Sequence, residues 1–319
     1  MLSRRHLRIK VLQAVYAFFQ NGNTDLSKGE KQLLVSVDKI HELIIYQLSF
    51  LIEIRDFTEN RIEESKKKFF PTEEDLAPNF KFVRNRVLQQ ISNNRDFRKL
   101  HDKLKINWSE EQGMVRKAFL AMKESNYYEK YMTSDEDSYE ADADFLARVV
   151  KKTLTGYELL EDFYESKTIY WAFDAYHTAN LVLMKHFKAM KESDDEYTPI
   201  SDIIDNAGED EDRDFMIELF RKTILNSDEY AELIDEKAKN WELDRIALMD
   251  IILIKMALAE LLEFPSIPIK VTLNEYIDIS KYYSSAKSKV FINGILDKLI
   301  VDLKEEKKIK KTGRGLMEF

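Results

Sequence analysis

The sequence predicts an all-α protein, and three observations carry that prediction. Apolar residues recur at three- and four-residue spacing along most of the chain, with almost no alternating strand pattern. Only eight glycines and five prolines punctuate 319 residues. The composition, 34% charged and 44% hydrophobic, is that of amphipathic helices joined by few tight turns. A chain of this length buries a substantial core in one large or two modest domains. It has no cysteine, which removes disulfides, thiolate metal sites and cysteine nucleophiles together. The basic start runs into an amphipathic pattern and does not read as an export signal, so a cytoplasmic location is expected.

Taken in order, Arg4-Arg5-His6-Leu7-Arg8 opens a first helix whose apolar stripe is Leu7, Val11, Ala14, Val15 and Phe18, and Asn21-Gly22-Asn23 stops it. Leu33, Val37, Ile40, Ile44, Leu48, Leu51 and Ile54 predict a long helix over about 28–68, ended by Pro71 and Pro78. Several helices follow up to Lys191, with Thr72-x-x-Asp75 and Ser109-x-x-Gln112 as capping-box starts. Phe145, Val149, Leu154, Leu159 and Phe163 form one stripe, and 169–190 is its partner helix. The aromatics there (Phe163, Tyr164, Tyr170, Trp171, Phe173, Tyr176) read as core at helical spacing.

A polar, acidic passage over 191–212, with Pro199 and Gly208, marks the boundary between subdomains. Helices are then expected at 214–225, 227–239, 243–263, 270–282 and 285–308, with Pro265 and Pro268 bracketing a turn. The segment 246–264 is apolar almost all round yet carries Asp250, Lys255, Glu260 and Glu263. Four charges are costly in lipid, so it reads as the central helix of a core and not as a membrane span. The organisation expected is an N-terminal helical subdomain over 1–205, a C-terminal one over 206–308, and a basic, disordered tail over 309–319.

A net charge of -9 argues against a protein that coats nucleic acid by bulk electrostatics, but the charge is unevenly placed. Arg4, Arg5, Arg8 and Lys10 make the start basic, and Lys304, Lys307, Lys308, Lys310, Lys311 and Arg314 make the tail basic. Between them lie an acidic run, Asp135, Glu136, Asp137, Glu140, Asp142 and Asp144, and a second acidic stretch from Asp194 to Asp212. Enzyme chemistry finds little footing. His6, His41, His101, His177 and His186 are scattered without metal-ligand spacing, and no glycine-rich phosphate loop is present. No catalytic residue, cofactor or metal is therefore expected.

Recognition chemistry has a better candidate. Arg8 follows Arg4 by four residues with Arg5 adjacent, so three guanidiniums project from neighbouring turns. Guanidinium forks pair with phosphates and stack on bases, while Gln13 and Tyr16 further along the helix offer a base-edge contact and a stacking ring. On the residues alone, a solvated basic turn is the competing reading.

Two distant segments decide between these by resemblance. Arg4-Arg5-His6-Leu7-Arg8 with Gln13-Ala14-Val15-Tyr16 at one end, and Ile267-Pro268-Ile269-Lys270-Val271 through Phe291-Ile292-Asn293-Gly294-Ile295-Leu296-Asp297-Lys298 at the other, resemble the NusB family of bacterial transcription antitermination factors. The segment 245–262 shares in it, and the likeness covers roughly the first 20 and the last 100 residues. It implies a NusB-like helical fold whose arginine-rich helix and last inter-helix loop contact boxA RNA. On this chain those positions are Arg4, Arg5, His6, Arg8, Gln13 and Tyr16, with Lys287, Ser288, Lys289, Phe291 and Asn293. It also implies partnership with the ribosomal protein NusE, through Asp250 and Lys255 on the central C-terminal helix, and indirect action on the elongating RNA polymerase.

His6 stands where the family commonly has arginine, Ala259 replaces an aromatic before Glu260, and Gly294 reads as permitting close helix approach. The region over about 26–205 has no close counterpart and reads as an insertion that enlarges the N-terminal bundle. It is a passive elaboration, a docking surface, or, through Asp135 to Asp144, an acidic competitor of RNA. The alternatives to antitermination are a helical interaction scaffold that has lost RNA binding and an accessory RNA-binding subunit in RNA modification.

Overall fold

In the computed structural model of the protein, residues 2–172, 174–200, 209–238, 247–285 and 287–317 are described, and no strand occurs among them. The helices are α1 (Arg4–Gln20), α2 (Leu26–Lys66), α3 (Glu73–Leu76), α4 (Arg86–Asn93), α5 (Arg95–Leu104), α6 (Gln112–Lys123), α7 (Asn126–Thr133), α8 (Tyr139–Val149), α9 (Glu158–Lys167), α10 (Ala175–Ala189), α11 (Glu209–Leu225), α12 (Ser227–Lys237), α13 (Leu248–Glu263), α14 (Ile269–Tyr283) and α15 (Ser288–Glu305). The expected all-α class is therefore the observed one. Two compact units emerge, one of residues 1–2 and 36–206, the other of 3–35 and 207–319. The grouping puts α1 with the C-terminal helices, although by sequence position it was counted with 1–205.

The first unit is built on the stripe of α2, where Val37, Ile40, Ile44, Leu48, Leu51 and Ile54 are all buried. Tyr164, Trp171 and Tyr176 are core as the spacing predicted, and Trp108 donates its indole N–H to Ser49 at 2.9 Å. Thr72 and Asp75 form the expected capping box, with the Asp75 carboxylate accepting the Thr72 N–H at 2.9 Å. Ser109 does not cap; it begins a short 3-10 turn leading into α6, and Gln112 instead donates to Glu53 at 2.6 Å.

The stripe expected to run unbroken from Phe145 to Phe163 is interrupted. α8 widens into a π-helical turn over Val150–Leu154 and then breaks at Gly156, whose φ of 80° lies in the left-handed region that side-chain-bearing residues avoid. Residues 169–171 form a separate 3-10 turn ahead of α10, and Phe173 lies outside the described residues. So do Gly208, Lys239 and Leu243, where a boundary residue and two helix ends were expected.

The acidic run is tied down inside this unit. Asp142 is buried and accepts the Tyr131 hydroxyl at 2.6 Å and the Arg86 N–H at 2.9 Å. Asp137 pairs with Arg86, and Lys81 donates to the Ser134 and Glu136 carbonyls, each at 2.7 Å. Ser138 within the run caps α8, and Asp142 accepts the first N–H of α4.

In the second unit α13 occupies the centre, touching α1, α11, α12, α14 and α15. Ile252 to Ala259 are all buried, which is why this helix is apolar nearly all round. The tail, expected to be disordered, is instead held against it. Thr312 donates its N–H to the Pro265 carbonyl at 3.0 Å, and the Lys311 ammonium reaches the Phe264 carbonyl at 2.9 Å. A Cβ on Gly315 would meet the Pro265 oxygen at 1.9 Å, so this glycine permits close approach and does not signal flexibility.

Burial pushes the Lys311 pKa down from 10.5 to about 8. The unfolded chain therefore holds a proton that the folded chain has released between those values, and stability rises with pH across that window. Chemical denaturation at pH 8 and pH 10 should show a smaller gain in Lys311→Met than in the parent; equal gains would place the cause elsewhere.

Candidate nucleic-acid interface

The start of α1 is fixed by its own side chains. The Ser3 hydroxyl accepts the His6 N–H at 3.4 Å while His6 Nδ1 accepts the Ser3 N–H at 3.2 Å, a reciprocal cap. This role explains a histidine at His6 in a run of arginines, since the cap needs an unprotonated ring nitrogen. Two residues on, Arg8 turns inward. It is 3% exposed and grips Glu260 of α13, 0% exposed, through two bonds of 2.7 Å. Thr272 and Tyr276 of α14 donate to the same carboxylate at 2.8 and 3.2 Å. Burial works against the Arg8 charge, and Glu260 more than offsets it, holding the guanidinium pKa above its ordinary value. Arg8 is thus a buried structural cation and not a phosphate contact.

Arg4 and Arg5 remain at the surface, each met by carboxylates. Arg4 pairs with Glu211 at 2.8 Å and Asp212 at 2.7 Å on α11, its guanidinium 4.6 Å from the centroid of the Phe215 ring. Arg5 forms a fork with Glu275 of α14 at 2.8 and 2.9 Å and reaches Asp278 at 3.0 Å. The hydrogen bonds that Arg5 donates to Glu275 raise its pKa. Further along the helix, Gln13 accepts from the buried Lys10 at 3.0 Å, and Tyr16 is half-buried.

The second segment is organised from beneath by Asp250. Its side chain is 5% exposed and accepts the hydroxyls of Ser284 and Ser288, the latter at 2.7 Å. Ser288 also meets the Ser285 hydroxyl at 2.8 Å. This knot fixes the turn from α14 into α15, leaving Lys287 and Lys289 exposed on either side of the buried Ser288. Phe291 is core, and Asn293 donates to Asp297 at 2.8 Å along α15. Gly294 does not permit a close approach, because nothing lies within 4 Å of where its Cβ would be.

The two segments meet through α14. Asp278 binds both Arg5 of α1 and Lys281 on its own helix, and the Lys281 hydrogen bond leads the lowering of its pKa. Arg5 of α1 and Lys281 near the end of α14 thereby share one carboxylate, and the exposed Lys287 and Lys289 stand further along the chain. Asp250 and Lys255, expected on a partner surface, are both buried. Lys255 donates to Ser227 at 2.6 Å and sits 5.6 Å from the centroid of the Phe19 ring, with burial lowering its pKa. No helix among the described residues is long and apolar enough to cross a membrane.

The model of the NusB family matches residues 177–301. The transcription antitermination protein NusB of Salinibacter ruber is 45% identical over 105 residues, covering 33% of this chain and 66% of that protein. That of Chloroherpeton thalassium is 39% identical over 107 residues, 34% of this chain and 51% of the relative. The NusB of Desulfatibacillum aliphaticivorans is 41% identical over 97 residues, and the chain covers 30% of its own length and 68% of that relative. The chain belongs to the NusB family. It spans less than two thirds of the first two relatives, and no solved structure matches it.

The NusB family match begins two residues into α10, earlier than the boundary at 205/206, so the last part of the expected insertion belongs to the family segment. α1 lies outside the matched residues yet packs on α11 and α13 within them. Of the positions that the NusB likeness implied, Arg5, Lys287 and Lys289 are exposed, and Arg4 is half-buried beside α11. His6 is a cap, while Arg8, Ser288, Phe291, Asp250 and Lys255 are structural. The sequence reading missed Glu211, Asp212, Glu275 and Asp278 as the partners of the arginines. No spacing rule links residues more than 200 positions apart.

Removing Arg8 strands a buried carboxylate, so Arg8→Ala should cost about 3–5 kcal/mol of stability, whereas Arg5→Ala should cost under about 1 kcal/mol. Urea unfolding reads both, and a near-parental Arg8→Ala would refute the structural assignment.

Proposed function

We propose that this protein is a non-catalytic transcription antitermination factor. It binds boxA-like single-stranded RNA together with the ribosomal protein NusE and helps elongating RNA polymerase resist termination on ribosomal RNA operons. The observation that carries the RNA half is the bridge Arg5–Asp278–Lys281, which joins the exposed arginine of α1 to a lysine near the end of α14, six residues before the exposed Lys287. Exposed guanidinium and ammonium groups on a fixed backbone suit phosphates. The half-buried Tyr16 and Gln13 stand further along the same helix for base contacts. The relatives are transcription antitermination proteins by name. The NusE partnership rests on the family likeness and uses a surface other than Asp250 and Lys255, both buried.

One observation favours a helical scaffold without RNA binding: Arg4 and Arg5 are already paired with carboxylates. These pairs are partly exposed, and such pairs are worth only about 0–1 kcal/mol each. A phosphate offering the same fork geometry displaces them at small cost, so the RNA reading stands first.

Fluorescence anisotropy with a boxA-like RNA, with and without NusE, separates the two. The parent should bind, more tightly with NusE, and Arg4→Ala/Arg5→Ala should bind weakly while remaining folded, Arg8 being left in place. With about four phosphates contacted, log affinity should fall against log salt with a slope near -3, each contact giving about 0.7. A folded parent that binds nothing under either condition would hand the case to the scaffold.

A further inference from the structure

We infer that Tyr282 is a stacking platform for one unpaired base of the bound RNA, an inference that rests on the RNA-binding reading above. Tyr282 is 83% exposed on the last turn of α14, although an aromatic ring ordinarily gains most by burial. Its neighbour Tyr283 is half-buried, so the helix end has an inward tyrosine and presents the other to solvent.

The backbone under the ring is held firmly. Ser284 donates its N–H to the Ser280 carbonyl at 3.0 Å, and the hydroxyls of Ser284 and Ser288 both close on the buried Asp250. A ring carried on such a knot loses little freedom when a ligand covers it. Its surroundings choose the ligand. Lys281 precedes it and shares Asp278 with Arg5, and Lys287 and Lys289 follow across the serine knot, exposed. Exposed cations that precede and follow an open aromatic along the chain are what a single strand needs. Phosphates engage the flanks while the base between them lies on the ring, and every base has a face to offer. An acidic protein segment would satisfy the cations but has no use for a flat, exposed ring between them in the chain.

The test titrates a boxA-like RNA into the parent, Tyr282→Ala, Tyr282→Phe and Lys287→Ala/Lys289→Ala over a range of salt. Tyr282→Ala should bind about tenfold more weakly, the size of one base–aromatic stack, with an unchanged salt slope because no phosphate contact is lost. Tyr282→Phe should restore the affinity. The lysine double variant should instead lower the slope by about 1.4, or 0.7 per contact. In a series of RNAs each carrying one abasic position, one member should bind parent and Tyr282→Ala alike and so identify the stacked nucleotide.

A parent that binds RNA and a Tyr282→Ala that binds equally well would overturn this inference alone. A Tyr282→Ala that keeps RNA affinity but loses the NusE enhancement would also overturn it, assigning the ring to a protein contact. A parent that binds no RNA would overturn it together with the proposed function. The ring is exposed and its removal leaves the core intact, and circular dichroism melts overlaying the parent verify it.

Discussion

Glu260 is a fully buried carboxylate on the central helix of the second unit, and α1 and α14 converge to satisfy it. An unpaired charge in that position would be expensive to desolvate. Arg8 supplies a two-bond guanidinium fork, and the hydroxyls of Thr272 and Tyr276 take up remaining acceptor capacity. Three helices, α1, α13 and α14, therefore converge on one group. Pairs of this kind contribute less to net stability than to uniqueness of arrangement, because a shifted helix leaves a charge unmet. The azimuth of α1 follows from it. With Arg8 inward, Arg4 one turn earlier reaches the carboxylates of α11 and Arg5 those of α14, so the placement of both arginines is a geometric consequence of the buried pair.

The surface arginines are preorganised by the same carboxylates that neutralise them. A fork held by Glu275 keeps the Arg5 guanidinium extended across α14, and the fall in side-chain entropy on binding is correspondingly reduced. Exchange of a carboxylate for a phosphate then trades one charge-assisted pair for another of similar geometry. In a chain of net charge -9, the proposed RNA binding rests on such local contacts and not on bulk charge. A ligand must place its phosphates there to gain from them, since beyond roughly 10 Å in ordinary salt the rest of the molecule contributes little attraction.

Helix positions were legible because burial writes itself into periodicity: the stripes of α1 and α2 and the all-round apolar α13 lie where the spacing put them. The fate of each charge was not legible in the same way. Arg4, Arg5 and Arg8 look alike in a list of basic residues, but Arg8 sits three residues before Val11 and seven before Val15, inside the buried stripe, and only Arg8 went to the core. Asp250, Lys255 and Glu260 carried the same signal, since charges on a helix covered on every side are themselves covered. Assigning two of them to a partner surface set that burial aside. Gly156 and Gly315 were opaque for another reason. A glycine at a helix break and a glycine beneath a carbonyl are indistinguishable in sequence from a flexible one.

Both halves of the candidate interface are thus anchored on a single helix. Glu260 fixes α1, and Asp250 fixes the turn before α15. They lie ten residues apart on α13, about 15 Å at 1.5 Å per residue. α13 acts as a ruler that registers two segments more than 270 positions apart in the chain, independently of what is threaded between them. Closing a longer connection costs entropy only logarithmically with length, so a region as large as 36–206 can form its own core while α1 still returns to Glu260. The constraint that preserves the surface is the match of Arg8 to Glu260 and of the serine turn to Asp250. A chain that kept those two contacts would keep the surface whatever the length of the intervening region.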